Sequence, residues 1–220
     1  MAHRTNKTKV RASRQRSAGS SRWLQRQVND PYVQRAKKDG YRSRAAYKLL
    51  EIDAKHHLMK RGYRVLDLGS APGGWAQVAA SKGCRVVGVD LLKIEPIPDV
   101  TLIQADIEQE ATVDRMLEAL GGSADLVLSD LAPSATGQRA VDRLRSEAMG
   151  EIVLDLAPSI LRPGGDLLLK MLRGADAALG DMARSIFRSI RLVRPDATRR
   201  ESSEIYLLAR DLKAMDPGDG

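Results

Sequence analysis

The segment Val65-Leu66-Asp67-Leu68-Gly69-Ser70-Ala71-Pro72-Gly73-Gly74-Trp75 reads as an apolar strand, a glycine-rich turn and the start of a helix. Arg64 to Leu68 is short and rich in branched residues, which suits a strand buried on both faces of a parallel sheet. Gly69, Gly73 and Gly74 have no Cβ, so the backbone can turn tightly and approach a ligand closely. Pro72 stiffens the bend, and a helical stretch from Ala76 to Lys82 follows. A nucleotide-like ligand is expected against this turn; the bland alternative is a plain connector between strand and helix.

The spacing excludes two familiar phosphate binders. The glycines fall as G-x-x-x-G-G rather than G-x-G-x-x-G, and no Lys follows them as in a P-loop. A carboxylate at the strand's end, Asp67, would repel a polyphosphate but suit an ammonium or sulfonium group. S-adenosylmethionine carries both.

Downstream, the same punctuation recurs. Arg85 to Asp90 is a second buried strand, and Asp90 lies 21 residues after Gly69, near the spacing of a ribose-binding acid in doubly wound folds. Thr101 to Asp106 is a third strand, which puts Asp106 where an adenine edge could lie. Asp125 to Asp130 is a fourth, leading into Leu131-Ala132-Pro133 and a polar loop, Ser134 to Gln138. A long helix from Arg139 to Leu161 is expected to stop at Pro163-Gly164-Gly165. Asp166 to Leu172 forms a strand, Ala175 to Ile190 a helix, and Arg191–Arg194 with Glu204–Ala209 a final strand pair. The total is an α/β fold with a seven-stranded, mostly parallel sheet flanked by helices, the Rossmann-like plan of class I S-adenosylmethionine-dependent methyltransferases.

Charge divides the chain. Residues 1–64 hold 18 Lys and Arg against 4 Asp and Glu, whereas residues 65–220 hold 18 against 24. The net +8 therefore belongs to the N-terminal part, which points to a polyanionic partner, nucleic acid first. Residues 1–20 read as a basic disordered tail, 21–62 as a basic helical RNA-binding segment, 63–210 as the Rossmann-like core and 211–220 as a flexible C-terminal tail. Ser43 is expected to cap a helix running to about His56, with Ala46, Leu49, Leu50 and Ala54 inward. Trp23, Tyr32 and Tyr41 among basic residues could stack on bases or pack in the core. The lone Cys84 precludes an intramolecular disulfide and fits a reducing, cytoplasmic setting. No apolar run suits a membrane span and no ligand spacing suits a metal, so neither is expected.

Lys170 interrupts Leu167-Leu168-Leu169 and Met171-Leu172, where lysine is seldom found. In a cleft, desolvation would favour its neutral form, able to take the proton of a ribose hydroxyl; at a strand end it could instead snorkel to solvent. Asp130 and Glu204 are the acidic groups expected within its reach. Lys48, read locally, sits in a surface stripe with Arg44, Glu51 and Lys55.

Five segments together resemble the FtsJ family of ribose 2′-O-methyltransferases, which includes the bacterial 23S rRNA uridine-2′-O-methyltransferases. They are Ser21-Arg22-Trp23-Leu24, Arg42-Ser43-Arg44-Ala45-Ala46-Tyr47-Lys48-Leu49, Asp67 to Trp75, Ser129-Asp130-Leu131-Ala132-Pro133 and Ser203-Glu204-Ile205-Tyr206. The resemblance implies a catalytic tetrad of Lys48, Asp130, Lys170 and Glu204, with Lys170 as principal lysine. It also implies S-adenosylmethionine contacts at Gly73, Trp75, Asp90, Asp106 and Asp130, beside Asp67, Gly69 and Gly74 at the turn. The implied substrate is a uridine in the A-loop of 23S rRNA, within the large ribosomal subunit or its precursor, met by a monomer. Glu201, three residues before Glu204, is a second candidate to close the tetrad, and Ser134 stands where many relatives carry Asn. A non-catalytic assembly factor on the same scaffold and a small-molecule methyltransferase are the competing readings.

Overall fold

A computed structural model describes residues 28–133 and 135–214. The expected basic tail, Trp23 and Ser134 lie outside the described residues. The elements in order are α1 (Pro31–Asp39), α2 (Ala45–His56), β1 (Arg64–Leu68), α3 (Gly74–Ser81), β2 (Arg85–Asp90), β3 (Val100–Gln104) and α4 (Glu110–Leu120). There follow β4 (Ala124–Ser129), α5 (Arg139–Ile160), β5 (Leu161–Leu172), α6 (Asp176–Ile186), β6 (Phe187–Val193) and β7 (Glu204–Leu212).

The seven strands lie in the order β3-β2-β1-β4-β5-β7-β6, and only β7 runs against its neighbours. This is the expected mostly parallel sheet. Strand order reverses between β1 and β4, so a crevice opens there beyond their carboxyl ends, the usual ligand position in such sheets.

Side chains along a strand alternate between faces, and the two faces have separate cores. Leu66, Leu68, Leu167, Leu169, Met171, Ile205 and Leu207 pack with α4, α5 and α6. Val65, Leu126, Leu128, Leu168, Tyr206 and Leu208 pack with α2 and α3. By the same period of two, Asp67, Lys170 and Glu204 fall on the second face, toward α2. That parity is what gathers the site.

Several local expectations are corrected by tertiary packing. Ser43 does not cap α2: Arg44 holds the cap position without a side-chain bond, and the Ser43 hydroxyl is buried without a partner among the described residues. The inward face of α2 is Ala46, Tyr47, Leu49, Ile52 and Asp53, with Ala54 exposed. Phe187 to Ile190 is strand, not helix, because the buried Phe187 and its followers pair with β7, and that pairing outweighs local helical preference. β5 starts directly at Leu161, and a register shift against β4 accommodates Pro163-Gly164-Gly165. β7 continues through the buried Leu212, two residues past the expected end of the core. Tyr32 and Tyr41 pack against Tyr47 at ring separations of 5.5 and 5.8 Å, so their rings serve the core.

Candidate active site

The carboxyl ends of β1 and β4 carry the first part of the site. Asp67 is one residue short of the end of β1 and fully buried, so it lies beneath the rim rather than on it. Its Oδ2 accepts from the Ser70 hydroxyl at 2.7 Å; Oδ1 lacks a well-formed hydrogen bond among the described residues, although the Ala76 amide helps to hold the charge. Burial, against the Ser70 bond and with Asp130 and Asp90 nearby, pushes its carboxyl up to about 7. A half-ionised, half-satisfied carboxylate at this depth suits a cationic neighbour.

Above it, the turn is built as a cradle. Gly69 donates its amide to Val89 O at 2.9 Å, and Gly73 has φ 107°. A Cβ on Gly73 would run into the tip of Ile97, so only glycine leaves that surface open. Gly74 and Trp75 open α3, their amides among those a helix start leaves unpaired. The Trp75 indole N–H is already used, donating to Ala45 O at 2.8 Å, so only its backbone or ring remains for a ligand. Ser43, Arg44, Asp67, Gly69, Gly74, Trp75 and Asp130 line a cavity of about 150 Å³ here.

Asp90 ends β2 and accepts from the Ala71 amide at 2.9 Å and the Leu92 amide at 2.8 Å. It therefore braces the turn, with lone pairs left over on both oxygens. Asp106 lies two residues beyond β3 instead of on it, accepting from the Glu108 amide at 3.1 Å. Asp130 follows β4 directly.

The second part is a chain of polar groups. Lys170 donates from Nζ to Asp130 Oδ1 at 2.9 Å and to the Asp130 carbonyl at 2.5 Å. The Tyr206 hydroxyl reaches Asp130 Oδ1 at 3.3 Å and donates to Glu204 Oε1 at 2.5 Å. Glu204 in turn accepts from Lys48 on α2. The structure thus brings Lys48, Asp130, Lys170 and Glu204 together, and Lys48 is not a surface residue, its side chain being 12% exposed. Glu201 is exposed and absent from this chain of bonds, so Glu204 is the carboxylate at hand. Burial alone would raise the Glu204 carboxyl, but the Lys48 ammonium, the bonds from Lys48 and Tyr206 and the charge of Lys170 hold it below its ordinary range. Burial beside Asp130 and Glu204 drives the Tyr206 phenol far upward, so it remains a donor.

Tyr206 is the residue sequence reasoning missed. It is fully buried, sits opposite Lys170 in the β5–β7 register and packs its ring 5.7 Å from Trp75, joining the polar chain to the glycine turn. Its alternation with Glu204 was the available signal, hidden because a tyrosine in an apolar strand reads as core.

A reversed-order parallel sheet, an open glycine turn over a buried acid, and a lysine–acid chain on the same face define a class I methyltransferase. Within that class the chain belongs to the FtsJ-like methyltransferase family, whose model matches residues 41–212. It is 46% identical over 222 residues to a protein of Mesorhizobium japonicum named ribosomal RNA large subunit methyltransferase E, covering 98% of this chain and 84% of that one. A protein of the same name from Xanthobacter autotrophicus is 48% identical over 211 residues, covering 92% and 83%. A crystal structure from Plasmodium falciparum, described as a ribosomal RNA methyltransferase, superposes with a TM-score of 0.70 at 28% identity, covering 80% of this chain and all of that one.

Proposed function

We propose that the chain methylates the ribose 2′-hydroxyl of a uridine in the A-loop of 23S rRNA during maturation of the large ribosomal subunit in the cytoplasm, with S-adenosylmethionine as donor. The observation that carries this reading is the bonded chain from Lys48 through Glu204, Tyr206 and Asp130 to Lys170, whose Asp130 lines the cavity at the glycine turn. Bound at the turn, S-adenosylmethionine supplies an activated methyl group on a sulfonium. Asp67 and Asp130 answer its positive charges from the crevice floor, and the Gly74 and Trp75 amides suit its carboxylate. The leftover lone pairs of Asp90 suit ribose hydroxyls, and Asp106 suits the adenine edge.

Lys170, ion-paired with Asp130 at 2.9 Å, holds the target 2′-oxygen. Once its ammonium has given a proton to solvent, the amine takes the hydroxyl proton as the oxygen–methyl bond forms and the sulfur–methyl bond breaks, and the pair with Asp130 is restored. Lys48, fixed by Glu204, steers the ribose from the opposite side. What the protein must add is alignment and a dry site, because the donor is already reactive. The basic N-terminal part would hold RNA phosphates. The test is a map of 2′-O-methyl positions in large-subunit rRNA from cells with and without the protein. Loss of one uridine mark, restored by the wild-type chain and not by Lys170→Ala, supports the reading; an unchanged map refutes it.

A further inference from the structure

Beyond the tetrad, two cavities lie side by side. One, of about 250 Å³, is lined by Arg44, Lys48, Arg199, Glu201, Ser202 and Glu204, and so has the tetrad's outer edge as its floor. The other, of about 550 Å³, shares Glu201 and Ser202 with it and is walled by Arg139 and Arg143 of α5 and Arg173 after β5. These three arginines are exposed, and none of their guanidinium groups has an ion pair or hydrogen bond among the described residues. Asp142, the α5 acid that lines the same cavity, is already committed: it accepts from the Thr136 amide and hydroxyl at 2.7 Å and from the Gly137 amide at 3.2 Å. Their positions are also built in. Gly174, at φ 99°, lies under Arg143, where a Cβ would come within 2.7 Å of Arg143 Cδ. The Arg173 amide is pinned to Ser203 O at 2.9 Å.

We infer that the larger cavity is a subsite for backbone phosphates of single-stranded RNA flanking the methylated nucleotide, held by Arg139, Arg143 and Arg173. This deepens the proposed function and rests on it for the direction of the strand. A ribose placed between Lys48 and Lys170 has its neighbouring phosphates leading past Ser202 into this cavity. The planar forks of arginine match phosphate oxygens in pairs. Among the described residues no aromatic side chain lines the cavity, so bases have nothing there to stack on and the subsite positions the strand without reading it.

The experiment compares the wild type with the triple variant Arg139→Gln, Arg143→Gln, Arg173→Gln on large-subunit particles lacking the methyl mark, across a salt series. Calorimetric S-adenosylmethionine binding is measured in parallel. Expected are a KM raised roughly tenfold or more and a plot of log(kcat/KM) against log[salt] shallower by about two, from about 0.7 per lost single-strand contact. Donor affinity and kcat stay unchanged. The triple Arg→Lys variant, which keeps charge but not the fork, recovers the slope and only part of KM. If the Gln variant loses donor binding, Arg173→Gln alone is read in the same way, with a slope change of about 0.7. An unchanged KM and slope beside an active wild type overturns the subsite. A wild type that methylates no rRNA overturns the proposed function instead; the subsite is then judged by binding of a short single-stranded RNA, and equal binding by wild type and variant overturns it.

Discussion

Lys170→Ala would strip Asp130 of its 2.9 Å partner yet touch no group of the glycine turn. Methyl transfer should therefore fall by about 10²–10⁴ in kcat, the usual worth of a positioned proton-transfer group, while calorimetry finds donor affinity nearly unchanged. Asp67 gives a second test, through pH. Its carboxyl is near 7 in the folded chain against an ordinary value of 3.8. Between those values the unfolded chain is ionised and the folded one protonated, so stability falls as pH rises through the window and the cost is complete above about 7. Asp67→Asn removes that cost. Its stability relative to wild type, followed by urea unfolding, should improve from pH 4 to pH 8 by on the order of 4 kcal/mol, and a flat difference would contradict the assignment. Single residues were legible where type and parity agreed: Lys170 was conspicuous as a lysine in an apolar strand. Tyr206 was not, since nothing in the letters distinguishes a tyrosine bonded to two carboxylates from one packed as a hydrophobe.

Elements were legible when their own pattern settled them and illegible when a distant partner did. β1, β2 and β4 announce themselves as branched, apolar runs, and they lie within a residue of their expected bounds. β6 becomes a strand only because β7 is there to pair with it. Docking of α1 and α2 was likewise beyond local pattern, and here the structure supplies the cause. The buried Asp30 caps α1 through the Tyr32 and Val33 amides, and its other oxygen binds Arg44 at the cap of α2 and Arg199 in the loop before β7. Arg44 also bonds to the Ala197 carbonyl of that loop. One carboxylate thus ties the N-terminal helices to the loop that leads to Glu204. Asp30→Ala leaves two arginines without their counter-charge and one helix without its cap. It should lower unfolding free energy by about 3 kcal/mol and reduce kcat more than donor affinity, because Lys48 loses its anchorage relative to Lys170. A variant with full stability and full turnover would show that α2 is held by its apolar face alone.

For the whole molecule, the asymmetry of charge is the property most plainly written in the sequence, and the fold gives it a direction. The crevice proposed for the donor carries Asp67, Asp90 and Asp130, with Arg44 shared between it and the next cavity, whereas that cavity is further lined by Lys48 and Arg199 and continues to Arg139, Arg143 and Arg173. With the donor and RNA bound as proposed, a small cation and a large polyanion would each meet a surface of opposite charge next to the same four residues. Residues 1–20 add six further Lys and Arg with no acid among them. A run of basic charge with no acid in it suits RNA capture through phosphates and not the chemical step. Removing residues 1–20 should leave donor binding and kcat unchanged and raise KM for large-subunit particles. The salt slope should become shallower by up to about four, if each basic group releases the counterions of one single-stranded phosphate. A steady-state salt titration of the truncated chain reads both quantities at once. A fall in kcat at saturating RNA would place that segment in the site itself, and an unchanged slope would confine phosphate recognition to the arginines around the crevice.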